Sequence, residues 1–247
     1  MSSAEQTRTE GTGGLRLEPD LETARELGRE GNVVPVRLRL VDDCETPVSA
    51  FLKLSGDQSG APGFLLESAE QGQVGRYSFL GVRPRAVLRW DGGVLSEWAG
   101  DGRGEPRARR AAADPYGAVA EYMSRYRLAP VEDLPPFAGG AVGFFGYDLV
   151  RTVERLGEPN PDPLGLPDLA LMVTDVMLAF DHLRHELTIL ACAFVEDEGD
   201  VEAAYERAAA TISEMRERLR AAVPVPQHPS VSEAPQFESN MAREEFE

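Results

Sequence analysis

The stretch Leu187–Val195, LTILACAFV, limits what this chain can fold into more than any other. Read as a strand, it puts Leu187, Ile189, Ala191, Ala193 and Val195 on one face. Leu190, Cys192 and Phe194 lie on the other. A strand apolar on both faces needs cover on both, because either face left in water is an aggregation liability. Only three helical stretches are legible to supply it, so part of the cover is expected from chain beyond these residues.

The first helix is expected over PDLETARELGREG, capped by Asp20 and stopped by Gly31, with Leu21, Ala24 and Leu27 on one face. VPVRLRLV alternates and reads as a half-buried strand with Val36, Leu38 and Leu40 inward. VSAFLKL, GFLLES and RYSFLG are expected as further strands. RAVLRWDGGVLSEW is a hairpin about Asp91-Gly92-Gly93. The cap and proline at Asp114-Pro115 open a second helix, with Val119, Tyr122, Met123 and Tyr126 at core spacing. After a Pro-rich loop at Pro159–Pro167, LMVTDVMLAF and LTILACAFV form a second hairpin. The last long helix runs from Asp200 to about Ala222, with Val201, Tyr205, Ala208, Ile212, Met215 and Leu219 as its stripe. Strands in runs with helices between the runs give an α+β class of antiparallel sheets flanked by helices.

Residues 1–17 read as a disordered leader and 18–222 as the folded body. Val223–Gln236, with four prolines, is a linker. It leads into FESNMAREEFE at 237–247, where Asn240 can cap a short helix that is unstable alone. The preferred reading is that the sequence stops at the start of a second domain.

A net charge of −17 argues against nucleic acid, which demands a basic footprint. The one basic cluster, Arg103–Arg110 (RGEPRARR), reads as a solvated connector. Cys44 and Cys192 lie far apart and suit a reducing compartment. The N-terminus has no secretory pattern, and no apolar run approaches the ~20 residues that span a bilayer. The expected location is the cytoplasm.

Isolated motifs point weakly to chemistry. Gly140, Gly143 and Gly146 in GGAVGFFG do not follow a dinucleotide fingerprint and suit close backbone packing. Asp181, His182 and His185 in FDHLRHE suit a hairpin turn better than a metal site. No nucleophile–base set can be assembled from three histidines and two cysteines. Glu67 and Ser68 end a strand beside apolar neighbours, which suits a small zwitterion. Arg76 could return a cation for its carboxylate. Taken alone, those residues fit a surface Glu-Arg pair that closes a loop and binds nothing better than a ligand site.

Taken together and in order, NVVPVRLRL…ETPVSAFLKL, FLLESAEQGQVGRYSFLG, GGAVGFFGYDLVR and SNMAREEFE resemble the large subunit of anthranilate synthase (component I) over residues 20–247. The resemblance implies an N-terminal regulatory region at 18–222, incomplete without a C-terminal half, and the entrance to a chorismate-binding catalytic domain at 237–247. Enzymes of this kind are lyases that convert chorismate and ammonia to anthranilate and pyruvate. The ammonia is released from glutamine by an amidotransferase subunit (component II), and Mg²⁺ helps hold chorismate. The catalytic and metal residues would lie outside this chain, leaving it inactive alone. Feedback inhibition by L-tryptophan is implied at Leu66, Glu67 and Ser68 of the LLES motif. Pro47 would line the wall, and Arg76 matches the family's basic residue beyond the turn. Two alternatives remain: component I of aminodeoxychorismate synthase, and a stand-alone amino-acid-sensing module.

Overall fold

The computed structural model describes residues 16–41, 44–56, 61–67, 75–158, 161–195, 200–224 and 241–246. The expected leader, apart from Arg16 and Leu17, lies outside the described residues. So do Asn240 and the linker from residue 225 onward. Leu17 already packs against the core, and Glu18 pairs with Arg37.

Helix α1 (Leu21–Leu27) begins where Asp20 accepts a hydrogen bond from the Thr23 amide at 2.9 Å. It ends at Gly28 rather than at Gly31. Gly31 serves a different need, since a Cβ there would lie 2.6 Å from the Ala129 nitrogen. Strand β1 (Val33–Val41) follows, but it is buried on both faces from Val33 to Leu38, Arg37 included, rather than half-buried as expected.

VSAFLKL is not a strand but most of helix α2 (Pro47–Ser55). Thr46 and Ser49 form a reciprocal capping box, Pro47 sits in the first turn, and Pro47, Ala50 and Leu54 are the buried positions. Local capping and a helical burial period therefore outweigh the strand preference of Val48 and Phe51.

Strands β2 (Gly63–Leu66), β3 (Tyr77–Val82), β4 (Ala86–Asp91) and β5 (Val94–Ala99) come next. Gly92 and Gly93, at φ 52° and 84°, make the tight β4–β5 turn that needs two left-handed residues. Part of the basic connector is itself a strand, β6 (Ala108–Ala111). Helix α3 (Pro115–Met123) is capped by Asp114, which accepts from the Gly117 amide at 3.0 Å. Strand β7 (Ala141–Phe145) runs into a 3₁₀ turn at Tyr147–Thr152.

LMVTDVMLAF is not one strand of a hairpin. It splits into β8 (Leu169–Val173) and β9 (Val176–Asp181), which belong to different sheets. The break falls at Thr174, whose amide donates to the Gly140 carbonyl at 2.8 Å. The Gly140 amide returns a bond to the Thr174 hydroxyl at 2.9 Å. Strand β10 (Glu186–Phe194), helix α4 (Val201–Leu219) and a short α5 (Arg243–Phe246) complete the described chain.

The strands form two antiparallel five-stranded sheets, ordered β1-β10-β9-β3-β2 and β6-β5-β4-β8-β7. Strand β10 is central in the first. Its Leu187, Ile189, Ala191 and Ala193 face Ala208, Ile212 and Met215 of α4 in one cluster. Leu190, Cys192 and Phe194 join Val33, Met177 and Ala138 in another, flanked by Tyr126, Leu134 and Phe137. Both faces are thus covered within this chain, and the expectation that this strand needs cover from elsewhere does not hold. Each Leu or Ile so buried contributes about 1.5–3 kcal/mol. A separate cluster packs β4, β5 and β8 against Ala118, Tyr122 and Leu149. No helix among the described residues is long and apolar enough to cross a membrane.

Candidate functional site

Of the residues singled out in the sequence, Leu66 and Glu67 lie at the end of β2, Pro47 lies on a helix against the sheet, and Arg76 precedes β3. β2 is the edge strand of the first sheet, and its last pair with β3 is Leu66 opposite Phe79. Leu66 is 47% exposed, and Glu67, just beyond the strand, is exposed as well. Ser68 lies outside the described residues. Pro47 is buried at the start of α2, and that helix packs on β2 and β3.

An aromatic wall continues from this edge. Tyr77 stacks on Phe79 with centroids 5.8 Å apart, and Phe137 meets Phe79 edge-on at 5.8 Å and Phe64 at 6.3 Å. Arg76 lies over the Tyr77 ring at 4.8 Å. Its Nε and Nη2 donate to the two carboxylate oxygens of Asp181 at 3.0 and 2.5 Å. That two-pronged bond leaves Nη1 without a hydrogen bond among the described residues. The bonds from Arg76 hold the Asp181 carboxyl below its ordinary range against the opposing effect of burial.

Asp181 also accepts from the amides of Leu183 and Arg184, so it closes the β9–β10 hairpin. His182 shares a 2.7 Å hydrogen bond with the buried Ser78 hydroxyl, and His185 takes φ 53° in the turn. The FDHLRHE segment is therefore turn chemistry. Among the described residues no group of three His, Cys, Asp or Glu side chains could hold a metal ion. The residues present do not fit Mg²⁺.

Gly143 and Gly146 of GGAVGFFG work by close approach, whereas Gly140 takes a φ of 135°. A Cβ on Gly143 would sit 2.8 Å from Leu171 Cα, and one on Gly146 would sit 2.8 Å from the Asp168 carbonyl oxygen. β7 can lie against β8 only because these side chains are absent. Cys192 borders a cleft of about 310 Å³ with Tyr126, Phe194, Gly140 and Thr174. Burial, with the nearby Asp175 charge, pushes its thiol up to about 12, so it is no nucleophile at neutral pH.

Sequence reading missed the buried polar pair beneath α3. Glu97 is 8% exposed and accepts from the Tyr122 hydroxyl at 2.6 Å and from Arg107. Burial raises the Glu97 carboxyl, but these bonds outweigh it and hold the group below its usual range. The available signal was the placement of Glu97 two residues from Leu95 on the inward face of β5.

Comparison with known proteins gives a consistent result. The sequence profile described as chorismate binding enzyme matches residues 61–247. Anthranilate synthase component 1 of Pseudomonas aeruginosa is 39% identical over 225 residues, covering 87% of this chain and 43% of that protein. The Aquifex aeolicus protein of the same name is 35% identical over 243 residues, covering 94% of this chain and 46% of its own length. A crystal structure of anthranilate synthase component I from Streptococcus pneumoniae is 25% identical with a TM-score of 0.48, covering 75% of this chain and 37% of that one. The chain spans less than half the length of the curated relatives it matches.

Proposed function

The chain belongs to the chorismate binding enzyme family, and from that premise we propose that it is the tryptophan-sensing part of an anthranilate synthase component I. The whole enzyme, in this reading, is a cytoplasmic lyase of tryptophan biosynthesis. It takes chorismate and glutamine-derived ammonia to anthranilate and pyruvate with a glutamine amidotransferase subunit as partner. The observation that carries the proposal is the similarity to anthranilate synthase component 1 along 87% of the chain. Catalytic groups and the Mg²⁺ site are assigned to the part of such enzymes that the matched segment does not include.

The sensing site is proposed at the exposed end of β2. Leu66 supplies apolar surface there, and Glu67 supplies an acceptor for the ammonium of L-tryptophan. Ser68 is placed near the amino acid's polar end, and Pro47 along its wall. Arg76 is left one nitrogen for the ligand's carboxylate, since Asp181 holds the other two. Feedback requires tryptophan to favour one state of the enzyme over another, and a coupling of about 1–3 kcal/mol suffices.

The test is turnover of chorismate by the full-length protein with its amidotransferase or with ammonium. Formation of fluorescent anthranilate and pyruvate is expected. Formation of aminodeoxychorismate instead would assign the protein to the folate branch, and no consumption of chorismate would overturn the reading.

A further inference from the structure

The outward face of the second sheet carries a cleft of about 360 Å³ that the sensing proposal does not use. Its floor is set by strand register. Ser96 on β5 lies directly opposite Arg89 on β4 and directly opposite Arg109 on β6. A serine is thus flanked in one cross-strand row by two arginines, and all three line the cleft. With strands ~4.8 Å apart, both guanidinium stems are long enough to reach over the serine.

These groups lack the partners that buried or charged groups normally find. Ser96 is 7% exposed overall, but its hydroxyl opens to the cleft and makes no side-chain hydrogen bond among the described residues. Its neighbours in the basic stretch are occupied. Arg103 pairs with Asp101, Arg107 with Glu97, and Arg110 with Glu121 and the Ala118 carbonyl. Arg109 alone of those four arginines has no ion pair or hydrogen bond among the described residues. Arg89 stacks on Trp98 at 4.8 Å and makes one long bond, 3.4 Å, to the Gly102 carbonyl. A solvent-open hydroxyl between two under-used guanidinium groups is a donor-rich floor, with Asp91 as the carboxylate in the cleft's lining.

The geometry points to a binding site for a small phosphorylated metabolite, its phosphoryl group seated over Ser96 between Arg89 and Arg109. Donors arriving from two flanking strands and from beneath suit a tetrahedral oxyanion better than a planar carboxylate, which one guanidinium fork satisfies. The cleft is larger than a bare phosphate needs. Trp98 offers an aromatic wall for the organic part, and Asp91, at the far end of β4, repels a second anionic group from that side. The site lies on a different sheet from the LLES edge and stands independently of the sensing proposal.

The test is titration of the chain with phenyl phosphate, followed by tryptophan fluorescence and by calorimetry. Trp98 lines the cleft and Trp90, the other tryptophan of the sequence, is buried on the opposite face, so the optical change should vanish in W98F while the heat persists. Saturable binding that weakens tenfold or more in R109Q and severalfold in S96A is expected. Arg109 is exposed, so R109Q leaves the fold intact, which a thermal melt checks. No saturable binding, equal binding by R109Q, or equal binding of benzoate at matched ionic strength would each overturn the assignment.

Discussion

Gly143→Ala is a one-carbon change whose cost follows from backbone positions alone. Gly143 faces Leu171 across the β7–β8 ladder, and a Cβ there would lie 2.8 Å from Leu171 Cα and closer still to the Ala170 carbonyl oxygen. Ordinary contact begins at 3.4 Å. Neither obstacle is the movable end of a side chain, so β7 must recede from β8. Overpacking of this kind costs about 1–3 kcal/mol, and a weakened ladder bond adds ~0.5–1.5 kcal/mol, for a total of about 1.5–4.5 kcal/mol. No left-handed strain enters, because Gly143 is not at positive φ. Gly157→Ala is the matched control, since nothing lies within 4 Å of its Cβ and its φ is also ordinary. It should change stability by less than about 1 kcal/mol, toward stabilisation. Urea unfolding of the two variants and the parent reads the difference as a shift in midpoint at constant slope. Equal midpoints for the two variants would refute the close-approach account of GGAVGFFG.

Further expectations rest on single interactions. Tyr122→Phe removes the hydroxyl bonded to the buried Glu97 at 2.6 Å and should cost about 1.5–3 kcal/mol by urea unfolding; under 0.5 kcal/mol would show the bond to be idle. Asp181 titrates lower folded than unfolded, so its contribution is complete above the unfolded value near 3.9 and lost as pH falls through the folded one. Asp181→Asn should therefore flatten the fall in stability below about pH 4, measured by unfolding across pH, and an unchanged slope would contradict the pairing with Arg76. At pH 8 iodoacetamide should label exposed Cys44 and spare Cys192 until urea is added, as read by intact mass; native labelling of both thiols would contradict the burial of β10.

Much of this architecture was legible because the physics is local. Asp20 and Asp114 announce helix starts through the bonds they accept three residues on, and Asp91-Gly92-Gly93 can only be a tight turn. The two-faced apolarity of Leu187–Phe194 marked a strand covered on both faces, but not that this chain supplies the cover. What failed was partly local and partly non-local. VSAFLKL carries strand-forming residues, and only the Thr46–Ser49 box and the spacing of Pro47, Ala50 and Leu54 betray the helix. LMVTDVMLAF has no glycine or proline to mark its division between sheets. Thr174 marks it through Gly140, 34 residues earlier in the chain. Cover for the second face of β10 comes from the loop around Leu134–Ala138, whose apolar residues have no period to reveal it.

The proposed site was legible only in part. Motif and order pointed to the end of β2, where Leu66 and Glu67 are exposed, and the helix of Pro47 packs on β2 and β3. The bond between Arg76 and Asp181 joins residues 105 apart, and no reading of sequence spacing reveals it. The Arg89–Ser96–Arg109 row likewise arises from register between three strands. In the sequence its last member is one more charge in a connector.

Sensing at the β2 edge is tested most directly by one inhibition curve, recorded as anthranilate fluorescence from the full-length enzyme while L-tryptophan is titrated, for the parent and for Ser68→Phe. The variant should keep the uninhibited rate and require at least tenfold more tryptophan for half-inhibition. Unchanged inhibition in a variant of normal rate would place the effector elsewhere and contradict the account.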